Sequence, residues 1–105
     1  MEQKTIMKEH LQTTGDKCVE SSLGWRVEIL SAGKLRYQEE SRTIELEIED
    51  RPDTLGELEW ILYTPATWLW KTDQDQVIEE EKVSDILNRI ELALWKLDMK
   101  MKQVV

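Results

Sequence analysis

The chain has 105 residues, a net charge of −8 and a sequence pI of about 4.7, with 40% hydrophobic and 34% charged residues. The length predicts one domain that can bury its own core, and the composition excludes a disordered or fibrous protein. The excess of carboxylates argues against binding to nucleic acid or to anionic membranes, because both attract basic surfaces.

The amino-terminal residues have weak periodicity, so we predict a partly ordered arm at 1–20 and a single domain at 21–105. The arm contains no apolar segment typical of a secretory signal, and no apolar run approaches the roughly 20 residues of a membrane span. Cys18 is the single cysteine and cannot form an intrachain disulfide, which fits a reducing compartment. We therefore expect a cytoplasmic protein.

Apolar and polar residues alternate in several short segments after the arm, which is typical of half-buried strands. In "TIELEIE" (43–49), the clearest of these segments, one face is apolar and the other carries only glutamates. Because the connections are short, we expect antiparallel neighbours. The predicted strands are 25–30, 34–38, 43–49, 57–63 and 67–71.

From about Glu79 the spacing of apolar residues changes to three and four, which is the period of a helix. The apolar stripe extends from Val83 to Met101, with glutamates before it and lysines near its end, as the helix dipole favours. A helix start at Ser84 is the alternative. The sequence predicts an α+β fold in which an antiparallel sheet of about five short strands packs on one long C-terminal helix.

The stretch "TPATWLW" (64–70) predicts a hairpin whose register decides which aromatic residues are exposed. A four-residue turn at 64–67 would place Tyr63, Trp68 and Trp70 on one face. A loop one residue longer would move both tryptophans to the opposite face, with Trp60. One helix covers only one face of a sheet, so an apolar second face would need the arm, a second copy or a partner to cover it. The tryptophans are therefore either part of the core or part of a protein-binding surface.

No motif for catalysis stands out. His10 is the single histidine, and Cys18 has no second cysteine with which to form a metal site. The segment "DQDQVIEEE" (73–81) lacks the glycine and the third ligand of a calcium-binding loop. Phosphate-binding loops and nucleophile elbows are also missing. We expect a protein without enzymatic activity, catalytic residues, cofactor or metal site.

The segments "GELEWILYTPATWLWK" and "VIEEEKVSDILNRIELAL", within residues 56–94, resemble small bacterial immunity proteins of polymorphic toxin systems, in particular the immunity protein 74 family. The shared features are a Gly-Glu lead into a strand, an aromatic strand that ends in tryptophan, and the helix entry "IEEEK". The resemblance implies a single α+β domain that is acidic, cytoplasmic and non-enzymatic, and that neutralises a toxin domain by binding to it.

Charge, aromatic content and this resemblance together predict a site for a basic protein partner, with no binding to nucleic acid or membrane. Its aromatic centre would be Tyr63, Trp68 and Trp70, and its acidic rim would be Glu45, Glu47, Glu57 and Glu59. One alternative is a structural or assembly subunit that self-associates through the aromatic sheet face, so that monomer and homodimer are both open. A second alternative is an enzyme or small-ligand binder that stacks a sugar or ring on the tryptophan pair.

Overall fold

The structure, a computed structural model, describes residues 9–15, 17–31, 33–52, 54–71 and 76–105, with the backbone alone described at 102 and 103. Within these ranges the chain forms seven strands and one helix. They are β1 (Leu11–Thr13), β2 (Cys18–Ser21), β3 (Trp25–Ser31), β4 (Lys34–Glu39), β5 (Arg42–Pro52), β6 (Leu58–Tyr63), α1 (Glu80–Lys96) and β7 (Met101–Val104).

The seven strands form one sheet in which spatial order follows chain order from β1 to β7. Neighbours from β1 to β6 are antiparallel, whereas β7 lies parallel to β6 at the edge. These findings confirm the predicted α+β class with a helix near the C-terminus. The antiparallel strands number six rather than the predicted five, and the helix is followed by β7.

Alternation along β3, β4 and β5 directs one side of each strand into the core. Val27, Tyr37 and Ile44 lie opposite one another across these three strands, and all three are buried. The buried face of α1 packs against this side of the sheet. That face comprises Ile86, Ile90, Ala93 and Leu94. We call the covered side of the sheet its inner face and the opposite side its outer face.

The helix begins close to the predicted position but ends earlier than the apolar stripe. Glu79 is its N-cap, and a left-handed residue, Asp98 (φ 62°), follows its last turn. The N–H of Asp98 donates to Trp95 O at 3.0 Å and that of Met99 to Leu94 O at 2.7 Å, which is a Schellman motif. Because this motif turns the chain, Met101 lies in β7 and not on the helix as predicted.

The predicted strand at 67–71 and its hairpin with β6 are wrong. β7 occupies the edge of β6 that this strand would have used. The pairing continues past both strands, where the Thr64 N–H donates to Val105 O at 2.7 Å. Residues 64–71, which contain Trp68 and Trp70 and which we call the tryptophan segment, instead pair with the chain before α1 through the bridge Leu69↔Val77. Farther on, the Lys71 N–H donates to Thr43 O at 2.7 Å, which returns the chain to the edge of β5.

Part of the segment predicted as an arm contributes to the sheet. β1 and all but the last residue of β2 lie within it, and Val19 of β2 is fully buried opposite Val27. Residues 1–8 and 16 of that predicted arm lie outside the described residues.

Candidate functional site

The outer face of the sheet carries four of the residues predicted to bind a partner: Glu45, Glu47, Glu59 and Tyr63. The glutamates alternate along β5 with buried Ile44, Leu46 and Ile48, and Tyr63 lies opposite Glu47. Most described side chains of this face remain at least partly exposed, and Cys18 and Ile61 are buried exceptions. A partner can therefore reach most of the outer face without unfolding the domain.

Glu45 lies within a group of cations. Its Oε2 accepts hydrogen bonds from Arg36 Nη2 at 3.3 Å and Lys71 Nζ at 3.4 Å, and Lys34 Nζ lies 3.9 Å from its Oε1. Desolvation raises the pKa of Glu45, but the bonds from Lys71 and Arg36 outweigh that effect and hold the pKa below its usual value. The charge of Glu45, one of the predicted rim residues, is thus partly neutralised by the chain's own basic side chains.

Tyr63 and Glu49 form a second polar group on the same face. The Tyr63 hydroxyl donates to Glu49 Oε1, which also accepts a hydrogen bond from Arg51 Nη2 at 3.3 Å. The bond from Tyr63 lowers the pKa of Glu49, and the same bond raises the pKa of Tyr63. The Tyr63 ring is therefore oriented by its hydroxyl while part of it stays accessible.

The tryptophans of the predicted aromatic centre lie elsewhere. Trp70 is 3% exposed and stacks on Tyr37, with ring centroids 6.3 Å apart, so it belongs to the core. Trp68 is half-buried and packs against the same core. Tyr63 is therefore separated from both, and the three aromatic residues do not form one exposed patch. Of the remaining predicted rim residues, Glu57 is exposed just before β6 and Glu59 is half-buried opposite Arg51.

A cleft of about 320 Å³ lies between β5 and the segment that follows β6. We call it the β5 cleft. It brings together two of the predicted carboxylates, two apolar residues of the segment after β6 and two lysines. Those residues are Glu45, Glu47, Pro65, Leu69, Lys34 and Lys71.

A second polar cluster lies on the inner face, around the buried carboxylate of Glu39. The Tyr37 hydroxyl donates to Glu39 Oε1 at 2.7 Å. Arg89 Nη1 donates to the Tyr37 hydroxyl at 2.7 Å and to Glu39 Oε1 at 3.2 Å. Lys82 Nζ lies 3.1 Å from Glu39 Oε2, and Arg42 Nη2 lies 3.7 Å from the same oxygen. This cluster joins β4 and β5 to α1.

Aromatic rings border the Glu39 cluster. Trp25 and Trp70 both stack on Tyr37, each with its ring centroid 6.3 Å from that of Tyr37. The Arg42 guanidinium lies 5.1 Å from the Trp70 ring centroid, and that of Arg89 lies 5.7 Å from Trp25. Both contacts are within the range of cation–π attraction, which holds the guanidinium groups in place.

The charges of this cluster depend on one another. Burial raises the pKa of Glu39, but the bonds from Tyr37 and Lys82 outweigh it, so the pKa lies below its usual value. Burial and the adjacent Glu39 raise the pKa of Tyr37 far above its usual range. Glu39 is therefore ionised and Tyr37 neutral at neutral pH.

A cleft of about 380 Å³ opens beside the Glu39 cluster, and we call it the Arg42 cleft. It is lined by Arg42, Trp70, Gln76, Val77, Glu79 and Lys82. The sequence predictions included neither this cleft nor the Glu39 cluster. A signal was nevertheless present, because Glu39 continues the alternation of Leu35 and Tyr37 and so falls on the inner face of β4.

The described residues show neither a metal-ligand cluster nor a reactive thiol. Among them, no group of three or more His, Cys, Asp or Glu side chains is placed to hold a metal ion. His10 is exposed, and Cys18 is buried with a pKa that burial raises, which disfavours the reactive thiolate. In the described part of the chain, no helix is both long and apolar enough to cross a membrane.

Comparison with known proteins adds no relative: no family model, no curated protein and no solved structure matches this chain.

Proposed function

We propose that this chain binds a basic protein partner through the outer face of its sheet and acts as an immunity-type protein that blocks a cognate toxin domain. The β5 cleft carries this proposal, because it joins Glu45 and Glu47 to the apolar surfaces of Pro65 and Leu69. Steric blocking requires no catalysis, so the proposal includes no enzymatic activity. It places the protein in the cytoplasm, where such a toxin would act.

The β5 cleft suits a lysine or arginine side chain of the partner. Its aliphatic stem would pack against Pro65 and Leu69 while its charged head approaches Glu47, which is exposed. The head would also compete with Lys71 for Glu45. Since the Lys71 side chain is 68% exposed, this ion pair contributes at most about 1 kcal/mol, and exchanging it costs little.

Tyr63 is the aromatic contact nearest to the cleft along β6. Tyrosine is frequent among residues that dominate binding energy, because it offers a large rigid surface together with one polar group. Glu49 fixes the hydroxyl of Tyr63 before a partner arrives, which lowers the entropic cost of binding. The net charge of −8 would also accelerate the encounter with a basic domain.

Self-association through an aromatic sheet face is the alternative proposal. Burial of Trp70 in the core removes one aromatic group from that face, so its support is weaker than that for a heterologous partner. Sedimentation velocity over a range of concentrations separates the two, because a monomer at every concentration excludes a stable homodimer.

Co-purification with the protein encoded immediately upstream tests the immunity function, because immunity genes directly follow their toxin genes. We expect a complex of nanomolar affinity, about −12 kcal/mol, and survival of cells that express both proteins. Glu47→Lys and Tyr63→Ala should each weaken the complex at least tenfold. Glu91→Lys, an equal charge change at an exposed position of α1, is the control and should leave the affinity unchanged.

The immunity proposal fails if the two proteins form no complex at micromolar concentrations, or if Glu91→Lys weakens it as much as Glu47→Lys. The second result would show that only net charge matters, because both variants change the charge equally.

A further inference from the structure

The Arg42 cleft lies on the opposite side of the sheet from Tyr63 and is independent of the proposed partner surface. Its walls come from three parts of the chain: Arg42 at the start of β5, Trp70 in the segment after β6, and Lys82 in the first turn of α1. Its volume of about 380 Å³ is within the usual range of small-ligand sites.

Arg42 and Lys82 are close enough to share one oxyanion. Both approach the same oxygen of Glu39, Arg42 Nη2 at 3.7 Å and Lys82 Nζ at 3.1 Å. The carboxylate of Glu39 therefore shows that an oxygen acceptor fits between the two cationic groups. Both residues also line the cleft, where an oxygen of a ligand could lie between the same two groups.

Both cations retain capacity to bind a ligand. The distances from Arg42 to Glu39 and to Glu40, 3.7 and 4.0 Å, are those of ion pairs and longer than hydrogen bonds. About one third of the Arg42 and Lys82 side chains is exposed. The ring of Trp70 holds the Arg42 guanidinium at the cleft, which reduces the entropy that binding would cost.

The charge balance at the cleft favours an anion. Among the described residues, two cations and one carboxylate, Glu79, line the cleft, while Glu39 lies behind the cations and also contacts Arg89. Glu40, near Arg42, is 80% exposed and strongly screened by water. Cationic side chains therefore outnumber anionic ones in the described lining of the cleft, in a chain that carries a net charge of −8.

We propose that the Arg42 cleft binds a small phosphate-type oxyanion, held by the guanidinium of Arg42 and the ammonium group of Lys82. Arginine matches the planar geometry of such an anion with two parallel hydrogen bonds, and lysine adds a point charge. The cleft exceeds the size of a bare phosphate ion, so its rim, with Gln76 and the exposed Val77, leaves room for the organic part of a phosphate monoester.

Titration with inorganic phosphate tests the site, with sodium chloride of equal ionic strength as the reference. We expect saturable amide shifts in two-dimensional NMR spectra that are confined to Arg42, Trp70, Val77 and Lys82. Arg42→Gln and Lys82→Gln should each weaken phosphate binding at least tenfold. Lys96→Gln, at the far end of α1, is the matched control and should bind as the unmodified protein does.

A gain of affinity provides a test that does not disturb the Glu39 cluster. Glu79→Gln removes the carboxylate that opposes the anion, so phosphate should bind several-fold more tightly. It remains informative even if Arg42→Gln or Lys82→Gln fails to fold. Shifts that do not saturate, equal weakening by Lys96→Gln, or unchanged binding by Glu79→Gln would each overturn the site.

Discussion

Arg89 of α1 donates a hydrogen bond from Nη1 to the hydroxyl of Tyr37 on β4 at 2.7 Å, while the Tyr37 hydroxyl itself donates to Glu39. Together with the contacts of Arg89 and Lys82 to Glu39, this pair forms a polar connection between helix and sheet. Because Glu39 is only 8% exposed, its charge has to be compensated by the protein rather than by water. The stability of the fold should therefore depend on the partners of this carboxylate.

Replacement of Arg89 by methionine should destabilise the domain by about 2 kcal/mol, which urea unfolding would measure. Loss of a partner from a buried ion pair costs about 3 to 5 kcal/mol, but Lys82 still pairs with Glu39 and the Arg89 side chain is 26% exposed. Arg51→Met is the matched control, since Arg51 pairs with Glu49 on the exposed surface, and it should leave the unfolding free energy close to that of the unmodified protein. Equal costs for both variants would show that the Glu39 cluster has no special role.

Acid should remove the contribution of Glu39 to stability. Its pKa is lower in the folded protein than the ordinary value of 4.5, so the folded state favours the ionised form. The contribution is complete above the ordinary pKa and is lost as pH falls through the folded-state pKa. The difference in unfolding free energy between the unmodified protein and Glu39→Gln should therefore shrink as pH decreases below about 4.5. A difference that stays constant from neutral pH to pH values below the ordinary pKa would contradict this assignment.

Iodide quenching should distinguish the tryptophans by their exposure. Trp95 is 75% exposed on α1, whereas Trp25 and Trp70 are almost completely buried. Trp95→Tyr should remove most of the quenchable fluorescence, and Trp70→Tyr should leave it in place. Trp70→Ala should also cost about 3 to 5 kcal/mol of stability, against less than about 0.5 for Trp95→Ala. Strong quenching that disappears with Trp70→Tyr would show that the tryptophan segment is open.

The Schellman motif at the end of α1 offers a stabilising change. Asp98 adopts φ 62°, a conformation that costs an ordinary residue about 1 kcal/mol relative to glycine. Asp98→Gly should therefore raise the unfolding free energy by roughly 0.5 to 1 kcal/mol, and Asp98→Ala should not. A destabilised glycine variant would indicate that the Asp98 side chain makes a compensating contact.

The strongest sequence patterns predicted the fold well. Alternation in β3, β4 and β5 is long enough to fix both the strands and their buried faces, and the three-and-four spacing located α1. The pattern failed where a tertiary contact decides the structure. β7 occupies the edge of β6, and that pairing partner could not be read from the local sequence of 67–71. β1 and β2 are three and four residues long, too short for periodicity to reveal.

The candidate site was predicted only in part. The β5 alternation placed Glu45 and Glu47 on the outer face, but their basic neighbours come from distant positions and were not foreseen. The sequence left Trp70 open between the core and the partner surface, because its face depended on a hairpin that does not form. Glu39 was overlooked although it follows the alternation of β4, since a glutamate at a strand end is usually interpreted as exposed.

Amide hydrogen exchange of the chain, alone and bound to the protein encoded immediately upstream, is the most direct test of the proposed function. We predict that binding protects residues 45–47 of β5 and the segment from Tyr63 to Leu69. The exposed Leu92 and Trp95 on α1 should exchange as in the free chain. Protection centred on α1 instead, with no change at β5, would contradict a partner site on the outer face of the sheet.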